Sequence, residues 1–147
     1  MTGLIMNLES LVSEISKYVS VTFDEAISEK INSEKWSKKE IIGHLIDSGI
    51  NNLQRFTEIQ YNEKPYSLKS YNQNELVKAN RYQEAETDEL LKLLRAINKR
   101  IIEVITHLKE GTLDSKIVTE KGTCINLHFL IEDYVNHFEH HAKQIIK

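Results

Sequence analysis

Two histidines spaced four apart late in the chain are the residues whose geometry points most directly to chemistry. In the segment YVNHFEHHAKQI, His137 and His141 fall on one face of a helix on successive turns, where two imidazoles can meet one ion. That pair is half a site, and HxxxH spacing also arises by chance on solvated faces. A third imidazole changes the odds, and His44 is the best placed. On a helix it stands about 60° from Ile41 and about 100° from Leu45, at the inward edge of an apolar stripe. It is open there to two readings: a ligand converging on the pair, or a core histidine donating to a carbonyl.

Three imidazoles without a fourth protein ligand leave a coordination position for water or substrate, the arrangement of a catalytic rather than a structural zinc-type site. A cation so held can lower the pKa of bound water to about 7, or stabilise a thiolate. Imidazole suits zinc, nickel, copper and iron alike, so the residues alone do not choose the metal. Ser48, Asn51 and Arg55 repeat in the helical row of His44. As pocket residues, Arg55 could hold an anionic substrate and Asn51 could orient a water or carbonyl; each equally suits the polar edge of a bundle helix.

Asp133, one turn before His137, can orient a ring nitrogen or stay solvated. His140, about 100° from His141, can serve only as an outer donor or a surface residue. His107 and His128 count as peripheral. Asp47 is a weak candidate for a general base, and Glu40 is committed to helix capping. Cys124 lies in a loop-like segment without an obvious base and reads as a packing residue, so no protein nucleophile is evident.

These side chains need helices to position them. Leu4, Leu8, Leu11, Val12, Ile15 and Val19 recur at three and four, predicting a first helix over 4–19. Thr22 and Glu25 have capping-box spacing for a further short stretch through Ala26 to Ile31. A second long helix over 38–61 begins at a Ser37/Glu40 capping box with Trp36 able to staple against Ile41, and Pro65 closes it off. Residues 62–86 read as a long connection containing a short helix around Asn74 to Ala79.

Thr87 is the expected cap of a third long helix with the stripe Leu90, Leu94, Ile97, Ile101, Ile105 and Leu108. Gly111 lies just past its end. A loop with a short extended piece at Lys116 to Thr119 leads to Asn126, which caps a last helix running to about Ile146. There is no convincing strand alternation and no internal repeat, so the expectation is an all-α four-helix bundle occupying 1–147 as one domain.

Composition agrees: 40% hydrophobic, 28% charged, five Gly and one Pro describe a chain poor in breakers and able to bury one core. A formal charge of −3 gives no global attraction for nucleic acid or anionic lipid. A lone cysteine cannot form an internal disulfide, no apolar run reaches the length of a membrane span, and the first residues lack a secretory pattern. The expectation is a cytoplasmic protein acting on a small molecule, with neither nucleic acid nor membrane as partner.

The segments KWSKKEIIGHLIDSGINNLQRF and IEDYVNHFEHHAKQII resemble the two signatures of the DinB-like superfamily, also called YfiT-like metal-dependent hydrolases, across almost the whole chain. The resemblance implies an up-down-down-up bundle with a long crossover between the second and third long helices. It also implies a zinc or nickel ion on His44, His137 and His141, and homodimers. Members of the family include transferases and isomerases dependent on mycothiol, bacillithiol or glutathione. The leading expectation is therefore thiol-dependent transfer to a small electrophile, with a low-molecular-weight thiol as cosubstrate. Metal-dependent hydrolysis is the nearer alternative, and a non-catalytic metal-binding stress-response protein the other.

Overall fold

The computed structural model describes residues 1–147. Its helices are α1 (Thr2–Ser20), α2 (Asp24–Ser28), α3 (Lys38–Glu58), α4 (Gln73–Ala79), α5 (Thr87–Thr106) and α6 (Leu127–Ile146). The long ones, α1, α3, α5 and α6, form the bundle. On α1 the buried residues are Leu8, Leu11, Ile15 and Val19, and on α5 they are Leu90, Leu94, Ile97, Asn98, Ile101 and Ile105. Both sets keep the spacing of a single helical face.

Contacts at the helix ends fix the directions. Tyr18 Oη, near the end of α1, donates to the carbonyl of Lys147 (3.5 Å), and Lys38 Nζ, at the start of α3, donates to Tyr18 Oη (2.5 Å) and the same carbonyl (2.6 Å). So α1 and α6 end together where α3 begins. Asp24 receives both Lys39 from the start of α3 (3.7 Å) and the Thr87 hydroxyl from the start of α5, which sets those two helices parallel. The result is the up-down-down-up topology, with the crossover spanning 59–86. No helix is long and apolar enough to cross a membrane.

A small sheet, which the sequence pattern did not suggest beyond one extended piece, joins the two long connections. Strand β1 (Tyr66–Leu68) lies parallel to β2 (Lys116–Thr119), which pairs antiparallel with β3 (Cys124–Asn126). Tyr66 faces Ile117 and Ile117 faces Ile125 in register. The β2–β3 turn uses Gly122 at φ 81°, a backbone conformation without penalty only for glycine.

The centre of the bundle is α3. Every residue from Ile42 to Gly49 is buried, because α5, α6, α4 and the 3₁₀ turn at Tyr82–Glu84 cover it from several sides. Gly43 and Gly49 admit close neighbours: a Cβ at 43 would overlap the Tyr82 side chain, and one at 49 would lie 2.7 Å from Ile97 Cγ2. This all-round cover is why the polar Lys39, His44, Asp47, Ser48 and Asn52 are buried as well.

A candidate metal centre

The start of α3 is fixed by a complete capping box: the Glu40 N–H donates to Ser37 Oγ (3.1 Å) and the Ser37 N–H donates to Glu40 Oε2 (2.9 Å). Lys30 Nζ reaches the same carboxylate oxygen at 2.6 Å, so Glu40 is fully employed in holding the helix end. His44 follows one turn later. Because α6 runs antiparallel to α3 and ends beside its start, His137 and His141 arrive opposite it.

The three rings converge. Centroids are 4.9 Å apart for His44 and His137, 4.7 Å for His44 and His141, and 4.6 Å for His137 and His141, all edge-to-face. His44 Nε2 lies 3.0 Å from His137 Nε2, and one ring nitrogen from each of the three falls within 4.8 Å of the others. Two nitrogens bound tetrahedrally to one ion at about 2.0–2.1 Å stand roughly 3.3 Å apart, so the set is close to ligating geometry.

His44 itself is completely buried, and its Nδ1 has no hydrogen-bond partner. The carbonyl acceptor that a purely structural core histidine would need is absent. Whichever tautomer it adopts, the valence at Nδ1 stays unmet, a cost of about 1–3 kcal/mol, while Nε2 is the nitrogen turned towards His137. Burial, and then the neighbouring His141 and His137, push the His44 imidazole down to about 3. Burial pushes His137 down to about 4 and lowers His141 as well. All three therefore offer neutral lone pairs at physiological pH, the state a metal requires.

The model of the DinB superfamily matches residues 7–145. The chain belongs to this superfamily. A protein of Oceanobacillus iheyensis, provisionally named as a metal-dependent hydrolase, is 24% identical over 94% of this chain and 79% of its own. Among solved structures, YfiT of Bacillus subtilis, described as a probable metal-dependent hydrolase with an unusual four-helix bundle topology, has a TM-score of 0.87. It is 21% identical, over 98% of this chain and 82% of its own. A mycothiol-dependent maleylpyruvate isomerase has a TM-score of 0.74 at 16% identity, and this chain spans 60% of its length. At these identities the structural likeness is one of fold.

Around the rings of this DinB-superfamily chain, two residues stand out that the sequence did not mark for the site. The Trp36 ring lies 4.9 Å from His44 at 35° and screens it from water, although the sequence suggested only a staple against Ile41. Gln144 bridges two histidines, with Oε1 2.8 Å from His141 Nδ1 and Nε2 3.3 Å from His140 Nε2. Its position three residues after His141 was the available signal. Tyr82 reaches the α3 face from the crossover. His140 is exposed, and the same glutamine lies between it and His141. His107 and His128 are exposed.

The expected pocket residues divide. Asp47, 2% exposed, accepts from Tyr82 Oη (2.6 Å) and Asn80 Nδ2 (2.9 Å) through Oδ1, while Oδ2 has no partner. Burial raises its pKa. Ser48 is buried and accepts from Asn52 Nδ2 through its carbonyl at 2.9 Å, and the Asn51 amide donates to the Asp47 carbonyl at 2.9 Å, so both are engaged within α3. Arg55 shares the helical row of His44 but not its neighbourhood, because eleven residues of rise place it about 16 Å along the axis. There it lines a different cleft, together with Asp133.

Proposed function

We propose that the chain is a metal-dependent enzyme whose His44, His137 and His141 hold one divalent cation, zinc or nickel, and that it transfers a low-molecular-weight thiol to a small electrophile. The observation that carries the reading is the convergence of three neutral imidazoles, one ring nitrogen of each within 4.8 Å of the others and His44 Nε2 3.0 Å from His137 Nε2. A bound cation would supply Lewis acidity, stabilising a thiolate or lowering the pKa of water to about 7.

The chain's own residues prepare the setting. His44 is anchored on the most enclosed helix, and the rings of His137 and His141 share one face of α6. Trp36 covers one side, and Gln144 holds His141 by its Nδ1, leaving Nε2 directed elsewhere. No protein nucleophile belongs to the cluster: Cys124 is exposed on β3. An external thiol therefore fits the reacting role best.

Hydrolysis is the second reading, favoured by Asp47, whose unpartnered Oδ2 and raised pKa suit a general base. The names of two relatives point the same way. Elemental analysis of untagged protein, alongside His44→Ala and His141→Ala, tests the site: near-stoichiometric metal is expected in the wild type and marked loss in both variants. Full occupancy in both variants sinks the ligand set. A panel of bacillithiol, mycothiol and glutathione against a chromogenic electrophile, run beside ester and amide substrates, then separates transfer from hydrolysis. If metal removal lowers only the melting temperature, with no thiol binding and no exchangeable water, the ion is a clamp and the enzymatic reading fails.

A further inference from the structure

Away from the histidines, the side chain least accounted for is Arg55. It is half-buried on α3, and no carboxylate lies within 4.0 Å of its guanidinium. Its contacts are neutral: Nη1 donates to Asn52 Oδ1 at 3.4 Å, Nη2 donates to the Lys69 carbonyl, and the guanidinium carbon lies 5.3 Å from the centre of the Tyr71 ring. Such contacts orient the guanidinium fork without cancelling its charge, which leaves it prepared for an anion.

Beside it a cleft of about 580 Å³ opens between the β1–α4 strap, the β2–β3 hairpin and the first turns of α6. Leu68, Tyr71, Ile125, Phe129 and Leu130 make its walls mainly apolar, and Phe129 remains 52% exposed at the surface. A ligand-sized apolar cleft with a few fixed polar groups is the usual form of a small-molecule site. Lys69 and Lys121 add positive charge. Of the two acidic residues in the lining, Glu120 is occupied by the Ser70 N–H and hydroxyl (3.0 Å each), and Asp133 makes no ion pair.

We propose that this cleft binds a small organic monocarboxylate with an apolar body, the carboxylate on Arg55 and the body against Leu68, Tyr71 and Phe129. One guanidinium opposed by a free Asp133 suits a single negative charge better than a phosphate dianion. The α6 N-terminus offers no help to a phosphate, since Asn126 Oδ1 already accepts the Phe129 N–H (2.9 Å). The site is separate from the histidine cluster, with which its lining shares no residue, and so it does not rest on the metal reading.

The test is an amide-resolved NMR titration of the full chain with octanoate and with octanamide, its neutral analogue, in the presence and absence of EDTA. Saturable shifts centred on Leu68, Tyr71, Ile125 and Phe129 are expected. Octanamide and the Arg55→Met variant should each bind at least tenfold more weakly, and Arg55→Lys should be intermediate. Asp133→Asn should tighten octanoate severalfold, which keeps the test decisive if Arg55→Met fails to fold. EDTA should change nothing. Equal affinity for the amide, unchanged binding in folded Arg55 variants, no tightening in Asp133→Asn, shifts centred on the histidines, or no saturation up to about 10 mM overturns the proposal.

Discussion

Replacing Gly43 with alanine should destabilise the chain by about 2–4 kcal/mol, although alanine is the better helix former. The added Cβ would overlap the Cδ2 and Cγ atoms of Tyr82 and stand 2.8 Å from its Cβ. Tyr82 is 6% exposed, and its hydroxyl is fixed on Asp47, so the ring cannot give way without uncovering that carboxylate. Overpacking costs about 1–3 kcal/mol and loss of a hydrogen bond to a charged acceptor about 1.5–3 kcal/mol. The gain in helix propensity returns about 1 kcal/mol. Urea unfolding with an unchanged m-value measures the difference, and the melting temperature should fall by roughly 5–15 °C. A second background makes the cause specific: once Tyr82 is alanine, the two closest overlaps, with the ring, are gone and only the 2.8 Å approach of its Cβ remains, so the cost of Gly43→Ala should fall to less than half of its wild-type value. A cost below about 1 kcal/mol in the wild type, or an equal cost in the Tyr82→Ala background, would refute the reasoning.

The pH dependence of metal-stripped protein follows from the buried rings. His44 and His137 are lowered to about 3 and 4, whereas in the unfolded chain they titrate near 6.5. Between those limits the unfolded state binds more protons, so their contribution makes stability fall as pH drops from about 6.5 towards 3. Asp47, with its raised pKa, acts in the opposite direction just above the ordinary carboxylate range. Urea midpoints across this range should flatten in His44→Gln, and a slope identical to wild type would contradict the assignment. Elsewhere in the core, Tyr134 Oη donates to Asn98 Oδ1 at 2.7 Å, while Asn98 Nδ2 donates to the Leu94 carbonyl at 2.8 Å. Tyr134→Phe strands a buried acceptor and should cost about 1–3 kcal/mol in chemical denaturation; a neutral effect would mean that this acceptor is not desolvated.

Much of the fold was legible because local signals agreed with one another. The α1 and α5 stripes, the Ser37–Glu40 box and the Asn126 cap depend on neighbours within a turn of each other, and each is where the spacing put it, except that α5 stops at Thr106, short of Leu108 and Gly111. Thr87 was read as a cap. Instead Glu86 holds that position without a side-chain bond, and the Thr87 hydroxyl goes to Asp24 on a distant element. The small sheet was illegible for a related reason: its strands are three or four residues long, and Tyr66 finds its partner Ile117 only after the whole of α4 and α5 has intervened. On α3, burial on several faces blurred the helical period, so Ile41, expected inward, is only partly covered while Ile42 and Ile46 are fully buried. The three histidines could be nominated from spacing, yet their meeting depends on antiparallel packing of α3 and α6. That is a property of the bundle rather than of either segment.

The connection between α3 and α5 has more chain than its task requires. Because those helices run parallel, it must return the length of a 21-residue helix, about 31 Å, which an extended strand covers in about ten residues. The chain uses residues 59–86, nearly three times that minimum. The surplus is not slack: it forms β1 and α4, brings Asn80 and Tyr82 to Asp47, and carries Tyr71 to the guanidinium of Arg55. Trimming it to the geometric minimum would leave the helices connected while stripping cover from the bundle centre and a wall from the cleft. Variation within this excess length, rather than in the helices it joins, is thus the cheapest way for the architecture to change what it recognises.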